Sequence, residues 1–221
     1  MTAQPSLFST ICAAGLSAAS TLSLTSANFQ PNTQAKTQAN VTEAEPLRHR
    51  MHQAQDVLSE VQHAVAVIRP TKDKDAYGAV RFEAVEGGVR VTAMIKGLQP
   101  GSKHGFHIHE FGDATKPDAT SAGSHYDPAN TDHHARPGAD EPHHAGDMGN
   151  LEANEQGIAR FERTFESMSI AGSDAPVIGR AVVVHAEPDE FDQPLGSAGA
   201  RIGIGVIGVA NPEGFGRPLW E

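Results

Sequence analysis

No period of two runs through residues 1–62, whereas from His63 onward hydrophobic and polar residues alternate with that period. Ala64-Val-Ala-Val-Ile68 ends at Pro70, and Val80, Phe82 and Ala84 alternate with Arg81 and Glu83 before Gly87-Gly88. Val89, Val91, Ala93 and Ile95 then alternate with Arg90, Thr92, Met94 and Lys96 until Leu98-Gln-Pro-Gly101 supplies a turn. This pattern predicts half-buried strands joined as a hairpin. In the run His104-Gly-Phe-His-Ile-His-Glu-Phe-Gly-Asp113, a strand would send Phe106 and Ile108 to one face and His107 and His109 to the other. Strand signals return at Ile158–Phe165, Ile178–His185 and Arg201–Ala210. Between Gly112 and Gly149 neither period appears, and a loop of that length inside a compact domain is usually functional. About seven short strands with no long helix predict an antiparallel sandwich or barrel.

The segments before this pattern carry a different composition. Residues 1–27 are weakly apolar from Leu7 to Ala27 and read as a signal or disordered segment. They resemble a signal peptide with a small-residue cleavage site, although no Lys or Arg precedes Lys36 to form a basic n-region. The expectation is export, to a periplasmic or secreted location, with a cytoplasmic protein as the alternative. The run is too short and too rich in Ser and Thr for a membrane span. Residues 28–62 read as a polar linker, with a short helix suggested by Met51, Val57, Leu58 and Val61. One folded domain over 63–211 is expected, followed by a tail at 212–221 that contains Trp220.

Charge and cysteine content narrow the chemistry. The net charge of -10 over 221 residues, with no cluster of Lys and Arg, argues against nucleic acid as a partner. Cys12 is the only cysteine, so neither an intramolecular disulfide nor a thiolate pair for metal transport can form. Nine of the twelve histidines lie between His104 and His185. An isolated histidine is commonly a polar core or surface residue, but this density calls for nitrogen ligands. His107 and His109 share a strand face; the long loop adds His125, the pairs His133-His134 and His143-His144, and Asp147; His185 ends the apolar run from Ala181. Four imidazoles without thiolates suit copper(II), and three histidines with one carboxylate suit tetrahedral zinc. Spacing alone leaves both metals open.

From about His63 to Ala210 the chain resembles the copper/zinc superoxide dismutases. The matching segments are Gly105–Asp113, Thr120–Pro128, His144–Asn150, Ile178–His185 and Gly199–Gly208, five in the family's order. The resemblance implies an all-β fold, a flattened eight-stranded Greek-key barrel or immunoglobulin-like sandwich with long metal-binding loops. It implies a copper ion on His107, His109, His125 and His185, and a zinc ion on His125, His134, His144 and Asp147, with His125 shared. Each doublet leaves a choice. His134 stands three residues before Pro137, as in the family, whereas His133 has the commoner distance from His125. His144 stands three before Asp147, in the family's His-x-Gly-Asp order, and His143 reads as a loop histidine. Asp189 matches an aspartate that bridges a copper and a zinc histidine, with a solvated acidic loop as the alternative; His104 matches a structural histidine.

The implied activity is disproportionation of superoxide by one-electron redox chemistry, with Arg201 and His125 as the residues that serve it. A homodimer is common in the family. The alternative is a catalytically silent metal-binding module, either copper-carrying or zinc-only. The family usually ties its long loop to the arginine strand by a disulfide, and here Ala119 and Ile204 stand at the two positions, so an apolar contact is expected instead.

Overall fold

The structure, a computed structural model, describes residues 60–131, 134–138, 140, 142–172, 174–215 and 219. The chain divides into two units, Met1–Ala44 and Glu45–Glu221, and every described residue belongs to the second. The expected signal or disordered segment, the linker up to Ser59, most of the suggested helix, His133 and Trp220 lie outside the described residues.

Among the described residues eight strands form: β1 (His63–Pro70), β2 (Tyr77–Val85), β3 (Gly88–Lys96), β4 (Lys103–His109), β5 (Asp147–Glu152), β6 (Ala159–Phe165), β7 (Ala181–His185) and β8 (Arg201–Val209). The period-two reading holds most clearly in β3, where Val89, Val91, Ala93 and Ile95 are buried and the residues between them are half-buried. Burying one side of each strand removes apolar area from water at about 25 cal/mol per Å², the main force that assembles the sheet. Phe82, Phe106, Ile68, Ile95, Ile108, Met148 and Leu151 are the largest buried side chains of that core.

All neighbouring strands are antiparallel, in the order β5-β4-β7-β8-β1-β2-β3-β6. The two edge strands, β5 and β6, follow one another in the chain, and a bridge between Ala153 and Ala159 nearly closes the barrel. The eight-stranded antiparallel barrel implied by the resemblance is therefore present.

Two local expectations need correction. The aperiodic loop does not run to Gly149, because β5 begins at Asp147. That strand hid from the periodicity because Asp147, Met148 and Gly149 are buried in succession. Its register against β4 slips between Gly105↔Asn150 and His107↔Asp147, and the extra residue sends both Met148 and Leu151 to the core. Strand β7 starts at Ala181 rather than Ile178, since Gly179 at φ +80° turns the chain and bonds its N–H to the Ile207 carbonyl. The aperiodic segment also contains a 3-10 turn, Thr120–Ala122, packed beside β7 and β8.

That turn carries the expected apolar replacement for the disulfide. Ala119 and Ala122 join Ala181, Val183 and Ile204 in a second buried cluster on the opposite side of β7 from the main core. Alternation explains the split: Val182 and Val184 face the main core, while Ala181 and Val183 face the turn.

Candidate metal centre

Three strand ends deliver the candidate residues to one region. In β4, Phe106 and Ile108 enter the core, and His107 and His109 emerge buried on the other face. His185 ends β7 and Arg201 begins β8. A register slip between Val184↔Gly203 and His185↔Arg201 makes Ile202 an extra residue, so Ile202 turns into the core and Arg201 faces the same way as His185. The β4–β5 slip acts likewise, placing Asp147 rather than Met148 opposite His107.

His107, His109, His125 and His185 form one group in which each offers a ring nitrogen within 4.8 Å of the others. The far side of each ring is held. His107 donates from Nε2 to Asp189 at 2.9 Å, His109 from Nδ1 to the Gly123 carbonyl at 3.0 Å, and His185 from Nδ1 to the Gly199 carbonyl at 3.1 Å. Those bonds leave His107 Nδ1 and the Nε2 atoms of His109 and His185 turned inward, the last two only 3.3 Å apart. His107 Nδ1 is buried with no hydrogen-bond partner, which is costly unless a cation takes its lone pair. Four nitrogens and no thiolate form a donor set suited to copper(II).

The second group is His125, His134, His144 and Asp147. Three Nδ1 atoms converge on the Asp147 carboxylate: His125 at 2.9 Å, His134 at 2.8 Å and His144 at 3.3 Å. The His134 contact is an ion-pair distance without hydrogen-bond alignment, so its buried Nδ1 has a carboxylate neighbour but no hydrogen-bond partner. Three imidazoles and one carboxylate, all buried, match the donor set of tetrahedral zinc. His125 belongs to both groups; its Nδ1 faces Asp147, and its ring lies 4.1 Å from that of His107.

A third cluster, His107, His134 and Asp189, has a different meaning. Asp189, 3% exposed, accepts from His107 Nε2 through one oxygen and from His134 Nε2 through the other, at 2.9 and 2.8 Å. It pins one ring of each group, as carboxylates behind metal-binding histidines do. The alternative of a solvated acidic loop does not describe Asp189. Gly196 is required beside it, because a Cβ there would lie 1.9 Å from Asp189 Oδ1 and the backbone φ is +71°.

His104, a structural histidine by the resemblance, donates from Nδ1 to the His185 carbonyl at 2.8 Å while Nε2 meets Ser102 Oγ at 2.6 Å. Of the doublets, His144 is buried in the second group, and His143 is half-buried and lines a separate cavity of about 680 Å³ with Arg163 and Glu166. Two further residues that the sequence reading does not single out support the groups. Asn150 exchanges two hydrogen bonds with the Asp189 backbone, and Gln193 exchanges two with the His134 backbone. Asn150 could have been suspected, since it ends one of the matching segments.

The electrostatics follow from burial and from the carboxylates. Burial, helped by the neighbouring His125, Arg201 and His185, holds His109 well below the ordinary histidine value. Burial likewise lowers His125 to about 4 and His185 to about 3. Burial alone would lower His134 too, but Asp147 and Asp189 outweigh it and raise it to about 9. Both carboxyls, which burial would raise, are held far below the usual range by hydrogen bonds from the histidines around them. Neutral imidazoles at His109, His125 and His185 and an ionised carboxylate at Asp147 are the forms that bind cations.

Arg201 is fixed at the edge of the first group. Its guanidinium donates to the Ala119 and Gly123 carbonyls, both at 2.5 Å, and Gly123 is the residue that also holds His109. A cavity of about 210 Å³ opens there, lined by His109, His125, His185, Ser197, Gly199 and Arg201. Loop residues 187–197 hold Glu187, Asp189, Glu190 and Asp192 and no Lys or Arg. The positive charge near this mouth comes from Arg201 and from Lys72 and Lys74, which line an adjoining cavity of about 410 Å³ that shares Gly199 and Arg201.

Comparison with known proteins gives the same direction. A family model described as copper/zinc superoxide dismutase matches residues 76–207. The chain is 40% identical over 154 residues to copper-zinc superoxide dismutase 3 of Arabidopsis thaliana, a match covering 66% of this chain and 90% of that protein. Among solved structures, the clock protein EA4 matches with a TM-score of 0.61 at 34% identity, over 67% of this chain and 95% of that one.

Proposed function

The chain belongs to the copper/zinc superoxide dismutase family, and on that premise we propose that it disproportionates superoxide, two anions and two protons giving dioxygen and hydrogen peroxide. His107 through Nδ1, and His109, His125 and His185 through Nε2, would hold copper. His125, His134, His144 and Asp147 would hold zinc. Copper, when bound, supplies one-electron chemistry by alternating between two oxidation states, and zinc has no redox part.

The protein's own residues do the remaining work. Arg201 presents a fixed positive charge at the mouth and draws an anion inward against the acidic loop. Asp189, Gly123 and Gly199 hold three rings so that the same nitrogens face inward before and after each electron transfer. His125 Nε2, whose one lone pair would bind either copper or a proton, is the atom at which a proton would be held and returned, because its Nδ1 is committed to the second group.

The observation that carries this reading is the single buried imidazole of His125 shared by a four-nitrogen group and a three-nitrogen, one-carboxylate group. Metal analysis beside a dismutation assay on the copper- and zinc-loaded protein tests it. Binding of both metals with dismutation is expected. Zinc without copper, and no dismutation after copper loading, would favour the silent metal-binding module. Export through residues 1–27 is part of the same proposal, and sequencing the N-terminus of the mature protein tests it.

A further inference from the structure

Gln193 lies in the loop between β7 and β8, whose following residues Leu195, Ser197, Ala198 and Gly199 line the mouth cavity. Its side-chain amide grips the backbone of one distant residue: Oε1 accepts from the His134 N–H at 2.9 Å, and Nε2 donates to the His134 carbonyl at 2.6 Å. A side-chain amide carries a donor and an acceptor side by side, and here it completes both polar groups of a single peptide-bonded residue. Fixing both groups fixes the direction in which the His134 side chain leaves the chain. Its ring, 1% exposed, is then held at Nε2 by Asp189 and covered by Phe191, stacked at 6.1 Å and 15°. Arg136 lies over the other partner of that stack, 5.0 Å from the Phe191 ring. In a chain whose only cysteine is Cys12, these contacts are what join the mouth loop to the second histidine group.

We infer that Gln193 is a positioning residue for His134, and that through it zinc binding in the second group and order in the mouth loop support each other. The inference rests on the zinc reading above. A ligand whose backbone is already fixed costs less to organise, so losing the amide should weaken zinc binding, and by linkage zinc should order residues 195–199.

The test uses the full chain, with zinc affinity measured by chelator competition and hydrogen exchange of residues 195–199 followed with and without zinc. Gln193→Met keeps the volume and removes both hydrogen bonds. It should weaken zinc about 10- to 100-fold, the usual cost of losing a group that orients a ligand. It should also abolish the zinc-dependent protection of residues 195–199 and alter the visible absorption of cobalt(II) placed in the zinc group. Copper affinity should change far less, because His134 is not in the first group. Gln193→Glu retains the acceptor, should show a smaller loss of the same sign, and serves if the Met variant fails to fold. Equal zinc affinity and equal protection in the native and variant proteins would overturn the inference and leave the zinc reading standing. A native chain that binds no zinc would overturn both.

Discussion

Arg201 lies directly across the β7–β8 ladder from His185, where regular register would have placed Ile202. The extra residue turns an arginine into the mouth and an isoleucine into the core, so one bulge serves both sides of the sheet. The guanidinium reaches two carbonyls, of Ala119 and Gly123, and a lysine ammonium has no planar fork with which to do so. Arg201→Lys should lower kcat/KM for superoxide roughly tenfold, equivalent to about 1.4 kcal/mol, with both metals retained. Pulse radiolysis beside metal analysis measures this; an unchanged rate would remove Arg201 from the reaction.

The shared imidazole predicts an asymmetry between two substitutions. His125→Ala should weaken both metals, and His109→Ala should chiefly remove copper, since His109 belongs to the first group alone. Titration with each metal separates them. A His125 variant that keeps full affinity for both would mean that the two groups do not share a ligand.

Asp189 holds one ring of each group, so its loss should be felt at both metals. Asp189→Ala is expected to reduce copper and zinc affinity about 10- to 100-fold each, and to leave the barrel folded. Circular dichroism and competition titrations check the two parts. Loss at one metal only would show that the second hydrogen bond has no functional weight.

The metal-free protein should be most stable near pH 6.5. His125 and His185 have folded-state values lowered to about 4 and about 3, so the unfolded chain binds more protons below 6.5. Their stabilising contribution is therefore present above that value and lost as pH falls toward 4, by up to about 1.4 kcal/mol per group per pH unit. His134, raised to about 9, has the opposite sign: its contribution is full below 6.5 and is lost as pH rises through 9. Urea unfolding of the metal-free chain at about pH 4.5, 6.5 and 9 reads both limbs. A flat profile from 6.5 to 4.5 would contradict the burial of neutral imidazoles.

Ile204 and Ala119 share the small apolar cluster that stands where the family usually has a disulfide. Ile204→Ala should cost about 2–5 kcal/mol, the range for truncating a buried aliphatic side chain. It should also loosen the turn whose carbonyls hold Arg201, lowering activity more than metal content. Thiol reductants should leave activity and melting temperature unchanged, because Cys12 has no partner cysteine in the chain. A reductant-sensitive melting temperature would point to a bond through Cys12 between chains.

The alternation of Val89 to Ile95, the same-face pair His107 and His109, and the histidine-rich loop were legible in the sequence because each depends on periods of two or on local composition. The resemblance added the ligand order and the eighth strand. What the sequence alone could not determine are the relations created when distant segments meet. Whether Asp189 was a solvated loop carboxylate or a buried bridge depended on two imidazoles 82 and 55 residues away. Gln193 and Asn150 acquire their roles only because the loop between β7 and β8 folds back over β5 and the histidine loop. The two bulges that turn Asp147 and Arg201 toward the histidines come from register, and register is set by how whole strands bury their faces against one another rather than by any residue in them.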